Sequence, residues 1–531
     1  MEQRNKYPRP EYMTNKPGFL FFLVLCVAIF ACNLQTSAPP SIATASPPPA
    51  FPTPQMSVPE TIAPITPTTP ASLVYQPGFE PAPCEFPVPG GYSPECGFLI
   101  VPENRSRADS PMIRLHVAIF RNRSGAPVAD PVVHLAGGPG SSSLHVANYM
   151  FGRGLDAILD QRDFILFDQR GTGYSQPRLD CPERFAVTGT LLERGLISLG
   201  SDQIILEAFH LCHDRLIGQG IDLSAYNSAA SADDLDDLRL ALGYDKLNLY
   251  AVSYGTRLAL TLMRDHPESL RSAVLDSVYP LQVNLYTALA PNADRAFNVF
   301  FARCAADPTC DGRYPDLRTY FYQLVDQLNA NPIGVSTSVS GSEQTVRVDG
   351  GLLIDVLFVG LYNPAVTASM PQMIYDIPQG KHDILRERLA LYFDTAGALG
   401  MQMSVQCAEE IPFDAPEEAY AAAQNAQPQI AAFYPASVQP LFAACKSWST
   451  ALPDPRENLP VSSDIPALIL AGDHDPITPP EWGRMVAQNM SQAYFHEFPG
   501  HGHWVTRSSG CALSMALVFW NDPAHDPSSL C

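Results

Sequence analysis

The chain has 531 residues, 46% of them hydrophobic, and a formal net charge of −21. That length can bury one large core, and the acidity argues against nucleic acid as a partner. The acidity suits a soluble exported protein and specifies nothing finer.

Residues 1 to 18 carry Arg4, Lys6, Arg9 and Lys16, and an uncharged apolar run follows from Phe19 to Ala31. A membrane-spanning helix needs roughly 20 apolar residues, so this run is short for a span and suits the h-region of an export signal. It closes on Ile29-Phe30-Ala31-Cys32, which resembles a bacterial lipobox. The expectation is a signal over 1–32 with lipidation at Cys32, although Phe30 is bulky for its position. An uncleaved anchor would leave the remainder on the same outer side. Residues 33–83 are rich in Pro, Ala, Thr and Ser with almost no charge, a composition that reads as an extended linker. Contact with a membrane is expected through the lipid anchor alone.

Cys26 and Cys32 fall in the signal, which leaves ten cysteines. An even set behind an export signal points to disulfides in an oxidising compartment. Spacing does not fix their connectivity; pairing of neighbours (84–96, 181–212, 304–310, 407–445 and 511–531) is the expectation. No C-x-x-C pair with zinc-like spacing occurs, which disfavours a metal site.

Strands are expected at Cys96–Val101, Met112–Phe120, Pro131–Leu135 and Phe164–Phe167. The last two run into glycine-rich turns, Ala136-Gly137-Gly138-Pro139-Gly140 and Asp168-Gln169-Arg170-Gly171-Thr172-Gly173-Tyr174-Ser175. A helix is expected at Ser231–Leu242 with Ser231 as its cap. From Leu247 to Leu260 an apolar, β-forming run ends at Ser253 and a helical run follows. Another strand is expected at Ser272–Leu275. Alternating strands and helices give a mostly parallel sheet with chemistry at the strands' carboxyl ends, an α/β architecture. The alternation breaks from about Asn292 to Pro455, where helical periods such as Leu317, Phe321, Leu324 and Leu328 predict an inserted, largely helical cap. Strands resume at Pro466–Leu470 and Tyr494–Phe498, and a helix over Ala512–Phe519 closes the chain. The expected core is therefore 84–291 and 456–531, with the cap at 292–455.

The turn at Ser253 reads as a nucleophile elbow: a strained serine flanked two residues away on each side by small residues, here Ala251 and Gly255. A serine capping a helix after a buried strand would give the same local pattern. A nucleophilic serine needs a base and a carboxylate that orients it. In the order Ser…Asp…His, the late strand ends in Ala471-Gly472-Asp473-His474-Asp475-Pro476 and the final one in Gly500-His501-Gly502-His503-Trp504. Asp475 and His503 are the expected partners, with Asp473 and His501 as substitutes. Oxyanion donors are expected from the backbone N–H of Tyr254 and from the loop at Gly137 and Gly138. That loop lacks the Lys and Ser/Thr of a phosphate-binding P-loop.

AGGPG (136–140), DQRGTGYS (168–175), SYGT (253–256), DPITPP (475–480) and GHGHW (500–504) make the chain resemble α/β-hydrolases of the prolyl/tripeptidyl aminopeptidase group over about residues 95–531. Ala136 and Ala251 depart from the strictest patterns, HGGPG and G-x-S-x-G. The resemblance implies an α/β-hydrolase fold, a Ser253–Asp475–His503 triad, and an oxyanion hole at Gly138 and Tyr254. It also implies peptide substrates, a cap that restricts access, and no metal or organic cofactor. An exopeptidase must bind a free ammonium, and Glu409 and Glu410 beside Cys407 are candidates for that contact. The expected activity is release of N-terminal residues or short peptides. An esterase or amidase on the same scaffold is the alternative, and a non-catalytic surface binding protein is the third reading.

Overall fold

The computed structural model describes residues 75–125, 130–195, 201–339, 341–393, 397–448 and 450–531. The signal, Cys32 and most of the linker lie outside the described residues. Eleven strands are present among those described: β1 (Gly78–Pro81), β2 (Glu95–Pro102), β3 (Met112–Phe120), β4 (Val132–Leu135), β5 (Phe164–Phe167), β6 (Leu247–Val252), β7 (Leu270–Asp276), β8 (Ile333–Val339), β9 (Ser342–Val348), β10 (Ala467–Gly472) and β11 (Ala493–Phe498). Nine of them form one sheet in the order β1-β2-β3-β5-β4-β6-β7-β10-β11. Pairs from β5 to β11 are parallel, and β1, β2 and β3 add an antiparallel edge.

The centre of the sheet is covered on both faces, so β4, β5, β6 and β10 are buried at every position. Continuous apolar runs rather than alternation are what such strands require. Val133, Leu249 and Ile469 face Leu235, Leu238, Leu258 and Leu262 from two helices, Ser228–Leu242 and Tyr254–Asp265. Val132, Tyr250 and Leu468 face the opposite layer, where Phe519 and Trp520 of the helix Gly510–Asn521 close the core.

Three expectations need correction. The linker does not extend to residue 83: Gly78–Pro81 pairs with β2, and the Tyr75 hydroxyl donates to the Ile100 carbonyl at 2.8 Å. A four-residue strand ending in proline carries almost no local signal and exists only because β2 offers an edge. The helix expected to start at Ser231 starts at Ser228, capped by the Asn227 side chain, which accepts from the Ala230 N–H. Ser231 is buried within that helix. The inserted region begins with the helix Leu285–Ala306, so the expected boundary at 292 falls inside a continuous helix. The insertion is largely helical and has its own core around Phe297, Phe321, Val325, Leu353 and Leu389. It also contains the antiparallel hairpin β8–β9, where Val335, Thr337, Val339, Val346 and Val348 alternate inward.

All five expected disulfides are present: Cys84–Cys96, Cys181–Cys212, Cys304–Cys310, Cys407–Cys445 and Cys511–Cys531. No helix among the described residues is long and apolar enough to cross a membrane. The Cys407–Cys445 bridge closes 38 residues of chain, whereas Cys304–Cys310 closes 6. Loop-closure entropy then predicts a loss of about 4 kcal/mol for the double Cys→Ser change at the first and about 2 kcal/mol at the second. Urea unfolding of the two variants against the parent checks this ordering.

Candidate active site

Ser253 sits between β6 and the helix Tyr254–Asp265 with φ 59° and ψ −128°. A non-glycine residue held there is strained, and its surroundings hold it. A Cβ on Gly255 would lie 2.1 Å from the Leu135 carbonyl oxygen, and one on Gly137 would lie 2.8 Å from the Ser253 Cβ. Ala251 is fully buried in the core beneath, paired across the sheet with Leu135 and Leu275, where a methyl fits. The departure from G-x-S-x-G therefore costs the turn nothing visible. Tyr254 opens the helix, so its N–H is one of the first-turn donors that no intrahelical carbonyl can satisfy. Gly138, at φ 110°, carries the facing loop through a conformation suited to glycine.

Asp475 and His503 meet directly. The Nδ1 of His503 lies 2.8 Å from Asp475 Oδ2. The same carboxylate accepts from the N–H groups of Ile477 and Thr478 and from the Thr478 hydroxyl. Burial alone would raise the Asp475 pKa, but the positive field of His503 and these hydrogen bonds outweigh it and hold the group below its ordinary value. The two substitutes are placed elsewhere. Asp473 binds Arg303 and the Gly500 N–H, and His501 pairs its Nδ1 with the Ser508 hydroxyl.

Ser253, His503 and Gly138 line one cavity of about 450 Å³. Its wall includes Val146, Ile477 and Trp504 from the core, and Leu285, Tyr286, Tyr362, Gln402 and Gln406 from the insertion. No Asp, Glu, Lys or Arg among the described residues lines it. Gln406 is 2% exposed and its Oε1 has no hydrogen-bond partner among the described residues. Two larger grooves, of about 750 and 720 Å³, contain none of these side chains.

The structure places Glu409 and Glu410 behind this wall, contrary to expectation. Glu409 accepts from the Ser228 N–H and hydroxyl and lies 3.3 Å from Arg257 Nε. Glu410 lies 2.7 Å from Arg257 and accepts from the Leu285 N–H. Both are buried, and Arg257 lies over the Tyr279 ring, which lines the cavity. A desolvated carboxylate needs a fixed partner, and here Arg257 from the elbow helix is that partner. Burial raises the pKa of both glutamates above the ordinary range, Arg257 opposing it.

Several supporting residues carried no sequence signal of their role. The Asp168 carboxylate accepts from the Ser142 hydroxyl and from the N–H groups of Leu144 and Tyr174, so it braces the loop that follows Gly138. Gln169 donates to the Ala136 carbonyl, and Arg170 forms a two-pronged buried pair with Asp234. DQRGTGYS is thus a brace for the AGGPG loop, and none of its residues lines the cavity. At the end of β7, Asp276 accepts from the Val505 and Thr506 N–H groups, and the Ser277 hydroxyl accepts from the Trp504 N–H. Together they pin the segment after His503. The Asp276 carbonyl also accepts from the Ser253 N–H at 3.1 Å.

This strained turn, carboxylate–imidazole pair and glycine loop at the carboxyl ends of a mostly parallel sheet fit the α/β-hydrolase fold. The alpha/beta hydrolase fold family matches residues 130–506, and the chain belongs to that family. It is 25% identical over 450 residues to the serine protease Hip1 of Mycobacterium tuberculosis, a match that covers 79% of this chain and 82% of that protein. It is 29% identical over 239 residues to the tripeptidyl aminopeptidase of Streptomyces lividans, covering 42% of this chain and 40% of that one. The putative hydrolase YuaR of Escherichia coli is 27% identical over 281 residues, covering 49% of this chain and 54% of its own.

Removing Arg257 strands buried carboxylates, so Arg257→Met is expected to cost about 3–5 kcal/mol of stability near pH 8. Acid groups with raised native pKa values bind protons more readily folded than unfolded, so stability is gained as pH falls through those values. The deficit of the variant should therefore shrink towards pH 5. Urea unfolding of both proteins at the two pH values measures it.

Proposed function

We propose that the protein is an exported serine hydrolase that releases N-terminal residues or short peptides from peptide substrates. The observation that supports this most is the buried Asp475 carboxylate, 2.8 Å from the His503 imidazole, at the edge of the cavity that holds the strained Ser253. In this reading Ser253 Oγ attacks the scissile carbonyl while the free nitrogen of His503 takes its proton. Asp475 fixes the imidazole tautomer by accepting from Nδ1 and stabilises the imidazolium. The N–H groups of Tyr254 and Gly138 receive the oxyanion. His503 then returns the proton to the leaving amine, and water hydrolyses the acyl-enzyme by the same path in reverse.

The names of the relatives, a serine protease and a tripeptidyl aminopeptidase, favour peptides over simple esters. The enclosed cavity, partly walled by the insertion, favours short substrates. A free substrate ammonium would meet the Gln406 acceptor, with the Glu409–Glu410 cluster acting through the wall as background charge. Five disulfides and the signal-like N-terminus support an extracytoplasmic site, with Cys32 as the lipid anchor and the proline-rich segment as a spacer.

A fluorophosphonate probe should label Ser253 in the parent and leave Ser253→Ala unmarked. Asp475→Asn should lower kcat by about 10⁴-fold with little change in KM, since the loss is in the imidazole tautomer. Free-amine aminoacyl and tripeptidyl chromogenic amides should be cleaved, and N-acylation should abolish this. Turnover confined to a short-chain nitrophenyl ester would move the assignment to esterase.

A further inference from the structure

The backbone of the loop that carries Asp475 is contacted by the insertion. Asp475 lies just past the end of β10, where the sheet no longer supplies partners for its backbone. The helix Leu285–Ala306 crosses this loop. Arg295 of that helix donates from one guanidinium nitrogen to the Asp473 carbonyl at 2.8 Å and from another to the Asp475 carbonyl. A planar guanidinium presents its donors in a fixed fork, so one side chain sets the spacing of two carbonyls flanking His474. Two helical turns on, Arg303 binds the Asp473 carboxylate. The other oxygen of that carboxylate accepts from the Gly500 N–H at 2.7 Å, and the His474 N–H donates to the His501 carbonyl. Insertion, acid loop and histidine loop thus form one chain of hydrogen bonds.

The insertion touches the histidine loop a second time. A Cβ on Gly502 would fall 1.9 Å from the Leu361 carbonyl oxygen, and the Tyr362 ring centroid lies 4.7 Å from that of His503. It also meets the oxyanion loop, where the Ala398 N–H donates to the Gly140 carbonyl at 2.9 Å. The insertion is therefore seated on three of the loops that build the site.

We infer that Arg295 is a positioning residue: its fork on the Asp473 and Asp475 carbonyls fixes the Asp475 carboxylate against His503, so that the triad is set only when the insertion is seated. The inference rests on the hydrolase reading for its catalytic consequence and on geometry alone for the Asp475–His503 contact. The core holds the Asp475 carboxylate through Ile477 and Thr478, and Arg295 adds the contacts to the backbone carbonyls; Glu481 lies 3.9 Å from Arg295 Nε.

The test compares Arg295→Met, Arg295→Lys and Arg303→Met in the complete protein. The far-downfield proton resonance of the His503 Nδ1–H···Asp475 bond reports the contact whether or not a substrate is turned over. Arg295→Met should lose that resonance and lower kcat on the order of 10²-fold at unchanged KM, the scale expected when a reacting group is displaced by about 1 Å. Arg295→Lys, whose ammonium can reach one carbonyl but not span both, should restore the resonance and kcat in part, to values between those of Arg295→Met and the parent. Arg303→Met, which leaves the fork intact, should stay within about threefold of the parent. A folded Arg295→Met that keeps the resonance and kcat would overturn the inference. So would losses in kcat and KM together with a lowered Tm that Arg295→Lys does not rescue, since that pattern marks a purely structural residue. If the parent shows the resonance but hydrolyses nothing, the hydrolase reading fails while the positioning role is still decided by the resonance.

Discussion

The strained turn at Ser253 is the constraint on which the rest of the site depends. A positive φ at a serine costs on the order of 1–3 kcal/mol, and it survives only where the surroundings leave no alternative. Here the register of β4 against β6 removes the alternatives. Leu135 pairs with Ala251, so the chain leaving β4 passes directly over the elbow. Gly255 is then wedged under the Leu135 carbonyl and Gly137 against the serine itself. The same crowding that enforces the strain brings the glycine loop to Ser253. The approach of the Gly137–Gly138 loop to the start of the helix Tyr254–Asp265 is thus a by-product of strand pairing.

Buried charge does comparable work at the next distance out. Asp168, Asp276, Arg170 and Arg257 are all fully buried, and each is met by several fixed partners. Replacing such groups by apolar ones often leaves stability unchanged, so stability alone does not explain them. Asp168 and Asp276 share a position: each accepts from the backbone of a loop that reaches the cavity. Asp168 remains raised to about 6 by burial in spite of its hydrogen bonds. Its environment is dry, and a carboxylate in such a place tolerates little displacement of its donors. Polar bracing of this kind fixes loop geometry where the sheet's own hydrogen bonding has ended.

The parallel strands and the elbow were legible in the sequence because their causes are local: continuous apolar runs, glycines at strand ends, and the order of serine, acid and histidine. The order of residues left Asp473 as a substitute for Asp475, and in the structure it is Asp475 that meets Thr478 and His503. The elements misread have distant causes. β1 exists through β2, and the Ser228 N–H that opens the helix Ser228–Leu242 is taken by Glu409, far along the chain. The hairpin β8–β9 alternates with period two, yet strong helical periods flank it on both sides. The glutamates looked like free acids because their partner, Arg257, sits in a helix about 150 residues earlier.

Ester and peptide hydrolysis use the same triad, so the difference between them has to lie in what the cavity holds on either side of the scissile bond. The core contributes the reacting groups and the glycine loop, which are indifferent to the substrate beyond its carbonyl. Tyr362, Gln402 and Gln406 come from the insertion and supply a polar, uncharged rim with an unpaired acceptor at Gln406. Behind them the three carboxylates of Glu409, Glu410 and Glu457 face the two guanidiniums of Arg257 and Arg264. Burial raises the pKa of Glu409 and Glu410 against the pull of Arg257, so this layer holds its charges paired and apart from the uncharged cavity wall. The same insertion that contacts the acid loop through Arg295 also supplies part of the cavity wall. Any change in how it seats alters the reacting groups and the substrate's surroundings together.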